Sequence, residues 1–224
     1  KLAKRIMELV KEYGIPKFFN ARDRFLFQVF MATGNLPLVP DVAIPIIKWR
    51  TRKDTVAVCL DAEEKALDKH LKNRKEQEVG QNVNLLGEVV LGNKEADKRF
   101  YSYLDALENP EINYISVKIS GIYAQTHALN YEEAFPELVR RMTLLYQKAI
   151  DCPYTDKHGV TKAKFINLDM EEYKDFHMTK KLFFEVLSLP QFKNYEAGIV
   201  VQAYLPDAWD FQTELLEFAH NRVA

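Results

Sequence analysis

The sequence predicts an α/β protein built on a parallel sheet. Three observations carry the prediction: four short apolar runs between residues 83 and 204, an amphipathic helical pattern after each, and a polar residue at or near the carboxyl end of each run. Strand, crossover helix and strand repeated in this way require parallel pairing, because only a long connection returns the chain to the same end of a sheet.

The elements follow in order. Residues 1–13 place Leu2, Ile6, Leu9, Val10 and Tyr13 on one helical face, and Gly14 and Pro16 stop the helix. A second apolar helix is expected from Asn20 through Ala32, ending before Gly34 and Asn35. Prolines interrupt residues 35–60, which show no clear period, and Asp61–Glu78 has helix-favouring composition. Residues 1–78 are therefore expected to form a mostly helical segment, with the main body over 79–224.

From residue 80 the pattern changes. The runs Val83–Val89, Tyr114–Ser120, Phe165–Asp169 and Gly198–Tyr204 are short, apolar and bounded by polar residues, Gly or Pro, as buried strands are. Helices are expected over Glu95–Leu107, from Asn130 as N-cap, from Thr179 with Pro190 just beyond its end, and over Asp210–Val223. The segment 151–160 is rich in turn residues and reads as a surface loop.

Composition narrows the function. The 224 residues are 47% apolar, and 31 basic against 32 acidic residues leave a net charge of −1, so no excess of Lys and Arg points to nucleic acid. The basic run Lys48–Lys53 reads as a solvated face. Cys59 and Cys152 form neither a disulfide framework nor a C-x-x-C pair, which fits a reducing, cytoplasmic setting. No apolar run reaches the ~20 residues of a spanning helix. The five histidines have no metal-ligand spacing, so no metal is expected, and Met170 and Met178 read as core. No G-x-G-x-x-G, phosphate-binding loop or G-x-S-x-G occurs.

The candidate site comes from the strand ends. Glu88, Lys118, Asp169 and Gln202 each lie near the end of a different run. Pleating turns alternate side chains to opposite faces, and an α/β barrel gathers its chemistry at the carboxyl rim from several strands. Lys118 and Asp169 read either as an active-site pair or as a structural ion pair, since a buried charge needs a partner in both cases.

These strands also carry recognisable words. Asn84-Leu85-Leu86-Gly87-Glu88-Val89-Val90-Leu91-Gly92 with Glu95-Ala96, Ile115-Ser116-Val117-Lys118-Ile119-Ser120, Asn167-Leu168-Asp169-Met170-Glu171-Glu172 and Gly198-Ile199-Val200-Val201-Gln202-Ala203-Tyr204 resemble the proline dehydrogenase domain of the bifunctional proline utilization A family over roughly residues 55–224. The resemblance implies the first four βα units of a (β/α)8 TIM-like barrel, preceded by a helical arm. It implies FAD as cofactor, L-proline as substrate, Δ1-pyrroline-5-carboxylate as product, and a quinone or other electron acceptor. By position, Lys118 resembles the lysine that approaches substrate carboxylate and flavin, and Asp169 the aspartate that holds it. Gln202 resembles the glutamine that hydrogen-bonds the flavin ring, and Glu88 the glutamate that pairs with a gating arginine.

The chain departs from the family pattern in three places. Asn84 stands where many relatives have aspartate, Gly121-Ile122-Tyr123-Ala124-Gln125 replaces a His-Pro-Arg-Tyr-like stretch, and no counterpart of the later strands is present. The expectation is that activity belongs to a longer protein with the rest of the barrel, an aldehyde dehydrogenase domain and peripheral membrane contact. The 224-residue piece alone is expected to hold little or no FAD. Two other readings stand beside this one: a non-catalytic fragment, and a Schiff-base barrel enzyme using Lys118.

Overall fold

The computed structural model describes residues 2–223 apart from 16, 18, 34–38, 56–63, 86–89, 91, 125 and 127–129. It divides into two compact units, Lys1–Leu67 and Asp68–Ala224. The first is helical, with α1 (Leu2–Tyr13), α2 (Ala21–Thr33), α3 (Val39–Thr55) and the start of α4 (Glu64–Glu76). Gly14 ends α1 at φ +79°, the left-handed conformation that glycine adopts without a Cβ penalty, and its N–H donates to the Val10 carbonyl. The Asn20 side chain caps α2 by accepting from the Asp23 N–H at 2.8 Å. The proline-interrupted stretch proves helical over Val39–Thr55, with Pro45 inside the helix. Sequence period gave no warning of this, because a proline inside a helix hides the pattern it interrupts. The basic run lies on this helix, with Lys53 over the Trp49 ring at 5.4 Å.

The second unit contains β1 (Val83–Asn84), α5 (Asn93–Glu108), β2 (Tyr114–Lys118), α6 (Ile119–Ile122), α7 (Tyr131–Asp151), β3 (Tyr154–Thr155), β4 (Thr161–Lys162), β5 (Phe165–Asp169), α8 (Phe176–Leu187), β6 (Ala197–Ile199) and α9 (Ala208–Val223). Strands β1, β2, β5 and β6 pair in that order, all parallel, as the alternating strand–helix pattern requires. The sheet is open among the described residues.

Register explains the two faces of the sheet. Ile115 and Val117 of β2 and Ile166 and Leu168 of β5 are fully buried on the face that the helices cover. The helical side of the core comes from Phe100, Tyr103 and Leu107 of α5, Leu138, Met142 and Leu145 of α7, and Leu182 and Val186 of α8. On the opposite face Tyr114 lies beside Phe165, Ser116 beside Asn167, and Lys118 beside Asp169. Period-two alternation thus separates an apolar packing face from a face that is polar toward its carboxyl end.

Segment 151–160 is more ordered than a surface loop. It enters the antiparallel hairpin β3–β4, whose turn is set by Asp156 and by Gly159 at φ +78°. The Asp156 carboxylate accepts from the His158 and Val160 N–H groups and from Lys162 Nζ at 2.8 Å.

Candidate active site at the carboxyl end of the sheet

Strand β2 ends at Lys118 and β5 at Asp169, and the two are lateral neighbours. Their side chains nevertheless do not pair. Lys118 Nζ donates to Glu171 Oε1 at 2.6 Å, and Ser120 Oγ donates to the other oxygen of Glu171 at 2.7 Å. Asp169 accepts from Asn167 Nδ2 at 2.8 Å and from Asn84 Nδ2 at 3.3 Å. The expected Lys118–Asp169 ion pair is therefore replaced by Lys118–Glu171. The Asp169 carboxylate is turned toward the amides of Asn84 and Asn167, whereas Glu171 lies two residues beyond β5 and reaches both Lys118 and the first turn of α6.

Burial alone would raise the Glu171 carboxyl above its ordinary pKa. Hydrogen bonds from Lys118 and Ser120, with the charges of Lys118 and Arg99, outweigh it and hold the group below that value. The pair is partly open, with side-chain exposures of 20% for Lys118 and 36% for Glu171, so it escapes most of the desolvation cost of a buried ion pair.

Gln202 lies three residues past β6 and is buried. Its strand was expected to run to Tyr204 but ends at Ile199, although the Val200 N–H still reaches the Leu168 carbonyl. Gln202 Nε2 donates to the carbonyls of Met170 and Glu171 at 3.2 and 3.1 Å, which fixes the amide orientation. Its Oε1 is then a buried acceptor without a hydrogen-bond partner. A buried orphan acceptor is costly, and a cofactor edge carrying an N–H donor would satisfy it. Glu88 lies outside the described residues.

The sequence reading missed Glu171, Ser120, Asn167 and Tyr103. Asn167 shares the Asp169 face of β5, and counting by two within the strand would have found it, whereas Ser120 lies in α6 and Glu171 beyond β5, where no strand period applies. Tyr103 belongs to α5 and is fully buried under Gly121, where an added Cβ would lie 3.4 Å from its hydroxyl. Burial raises this phenol to about 12 against the opposing pull of the Lys118 backbone N–H and Arg99.

The segment after Lys118 is held from behind by Arg141 of α7. Its Nη1 donates to the Ile122 carbonyl at 2.9 Å, its Nε to Glu137 at 2.6 Å and its Nη2 to Asp97 at 2.5 Å. The guanidinium also lies 5.2 Å from the Phe100 ring centre. Every face of this buried cation is occupied, so α6 is anchored at its carboxyl end.

Gly198 sits beside Asn167 in the sheet. A Cβ there would lie 2.6 Å from Asn167 Oδ1 and 2.9 Å from the Phe165 ring. Gly198→Ala should displace the Asn167 amide that holds Asp169 and destabilise by ~1–3 kcal/mol, the usual cost of overpacking. Hydrogen exchange of the β5 amides checks it, and unchanged protection would show that the strand gives way freely.

Among the described residues no group of three or more His, Cys, Asp or Glu is placed to hold a metal ion, and no helix is long and apolar enough to cross a membrane.

The comparisons with known proteins bear on these same strands. The proline dehydrogenase family profile matches residues 67–224, more than half of the chain. Proline utilization A from Corynebacterium freiburgense is 36% identical with a TM-score of 0.68, covering 93% of this chain and 20% of that one. The Bdellovibrio bacteriovorus protein inactivated by N-propargylglycine is 30% identical with a TM-score of 0.58, covering 69% of this chain and 17% of its own. A Bradyrhizobium japonicum proline utilization A mutant, at 22% identity and a TM-score of 0.54, shares the fold. No match is found among curated proteins. The chain spans about a fifth of the length of the solved structures it resembles. With the family profile lying over the parallel sheet and its helices, the chain belongs to the proline dehydrogenase family.

Proposed function

We propose that residues 79–224 supply the first four βα units of a proline dehydrogenase barrel, with 1–78 as a helical segment ahead of it. The activity is FAD-dependent oxidation of L-proline to Δ1-pyrroline-5-carboxylate, carried by a longer cytoplasmic protein that hands electrons to a quinone or similar acceptor. An aldehyde dehydrogenase domain in the same protein would consume the product. The observation that carries the reading is one of proximity. Lys118, a cation suited to a substrate carboxylate, and Gln202, a buried amide with an orphan acceptor, meet at the same residue, Lys118 through the Glu171 side chain and Gln202 through its carbonyl.

In this reading Lys118 binds and orients the proline carboxylate, and Asp169 with Asn84 and Asn167 keeps the polar face of the sheet in register beneath it. Gln202 would hold the flavin ring, its Oε1 being a buried acceptor without a partner. The flavin supplies the hydride acceptor for proline C5. Glu88 pairs with an arginine that closes the pocket. A Schiff-base role for Lys118 is disfavoured, because the profile over residues 67–224 is that of proline dehydrogenase, whose hydride chemistry needs no amine nucleophile.

The test is spectroscopic. The full-length protein is expected to carry flavin absorbance that L-proline bleaches without oxygen, while the 224-residue piece carries little or none. A flavin-loaded full-length protein that proline leaves unbleached would refute the proposal.

A further inference from the structure

We propose that Glu171 is a resident counter-anion of Lys118: without substrate it occupies the place on the ammonium that a substrate carboxylate takes, and it must swing away for that carboxylate to bind. The proposal rests on Lys118 as the carboxylate-binding cation. It adds a competitor inside the site, and hence a determinant of how tightly ring carboxylates bind.

Four observations carry it. Glu171 is held at the hydrogen-bonding distance of a strong charge-assisted pair, so the cation is taken in this state. Lys118 and Glu171 are each partly exposed, so the displaced carboxylate can pass into water. Its second oxygen is bound to Ser120 Oγ, a hydroxyl that can keep hold of the group while the Lys118 contact opens. Meanwhile Gln202 Nε2 fixes the carbonyl of Glu171, so the motion is confined to the side chain. Asp169, the neighbouring carboxylate on the same face, is held by two amides, and Lys118 pairs with Glu171 instead.

The exchange is balanced in charge, one carboxylate leaving the ammonium as another arrives. Its cost is carried by substrate affinity, so relieving it should tighten binding rather than weaken it. A residue that merely positioned Lys118 would have the opposite effect.

The experiment compares Glu171→Gln, Ser120→Ala and Lys118→Met in the flavin-loaded full-length protein. Glu171→Gln is expected to lower KM for proline by about three- to tenfold, the scale of a partly exposed ion pair, with no matching rise in kcat. The Kd of cyclopentanecarboxylate, a ring carboxylate with no amine to oxidise, should fall in parallel by calorimetry. Ser120→Ala, which loosens Glu171 without removing its charge, should shift both in the same direction by less. An unchanged or raised KM and Kd in Glu171→Gln overturns the resident-anion proposal, and leaves the reading of Lys118 intact if Lys118→Met weakens cyclopentanecarboxylate. Unchanged cyclopentanecarboxylate binding in Lys118→Met overturns both.

Discussion

Lys118→Met is expected to lower kcat/KM for proline by about 10²- to 10³-fold in the full-length protein, while the flavin stays bound and the fold is kept. The loss comes from unpairing a substrate carboxylate in a partly dehydrated site, where truncating one partner of a charge pair costs ~2–5 kcal/mol and each 1.4 kcal/mol is tenfold. The fold survives for reasons visible around the residue. Methionine keeps the packing of the aliphatic stem, and the Glu171 carboxylate left behind remains partly exposed and bonded to Ser120. Retained flavin is expected because Gln202 fixes its amide on the carbonyls of Met170 and Glu171 rather than on the lysine. Steady-state kinetics with a flavin spectrum of the same sample checks both halves. A variant that binds flavin and oxidises proline at the wild-type kcat/KM would remove Lys118 from the site.

What was legible in the sequence and what was not divide along physical lines. Four parallel strands were readable because buried strands leave short apolar runs bounded by turn residues and alternating with amphipathic helices, and the β2–β5 register then brought Lys118 beside Asp169. Partner choice was not readable, since it depends on how side chains from different strands converge. The amides of Asn84 and Asn167 come from two strands, and their convergence on Asp169 is a fact of tertiary structure. Glu171 was quoted only as part of a run, because it lies past the apolar stretch where the strand pattern stops. Helix α3 was missed for the reason given by Pro45, and the hairpin β3–β4 because two-residue strands leave no period to detect. Gln202 was read at the end of a strand drawn too long, since Val200 and Val201 favour extended backbone whether or not a ladder continues.

The tightest test of the scaffold behind the site concerns Arg141. Arg141→Met removes the donor of the Ile122 carbonyl, the cation over Phe100, and one partner each from Glu137 and Asp97. Much of the carboxylate loss is cushioned. Glu137 keeps both hydrogen bonds from Arg140, and Asp97 is 47% exposed and hydrates. The uncushioned part is the Ile122 carbonyl with the cation–π contact, worth ~2–3 kcal/mol together. Because this bond anchors α6, the cost should appear as local opening. Exchange of the Tyr123 amide, which donates to the Ile119 carbonyl, is expected to quicken by about 30- to 100-fold. Arg140→Met is the control, since its pair with Glu137 is exposed and such pairs contribute ~1 kcal/mol at most. Acid should weaken wild type and Arg141→Met alike and narrow the gap only slightly, because Glu137 keeps Arg140 in the variant and the uncushioned contacts do not titrate. The hydrogen bond from Arg140, with that from Arg141, pulls Glu137 down to about 2 against the effect of burial. The stabilisation from this depressed carboxyl is therefore present above its ordinary range and lost as pH falls toward 2. Equal exchange rates at Tyr123 in Arg141→Met and Arg140→Met would show that α6 holds its place without the buried cation.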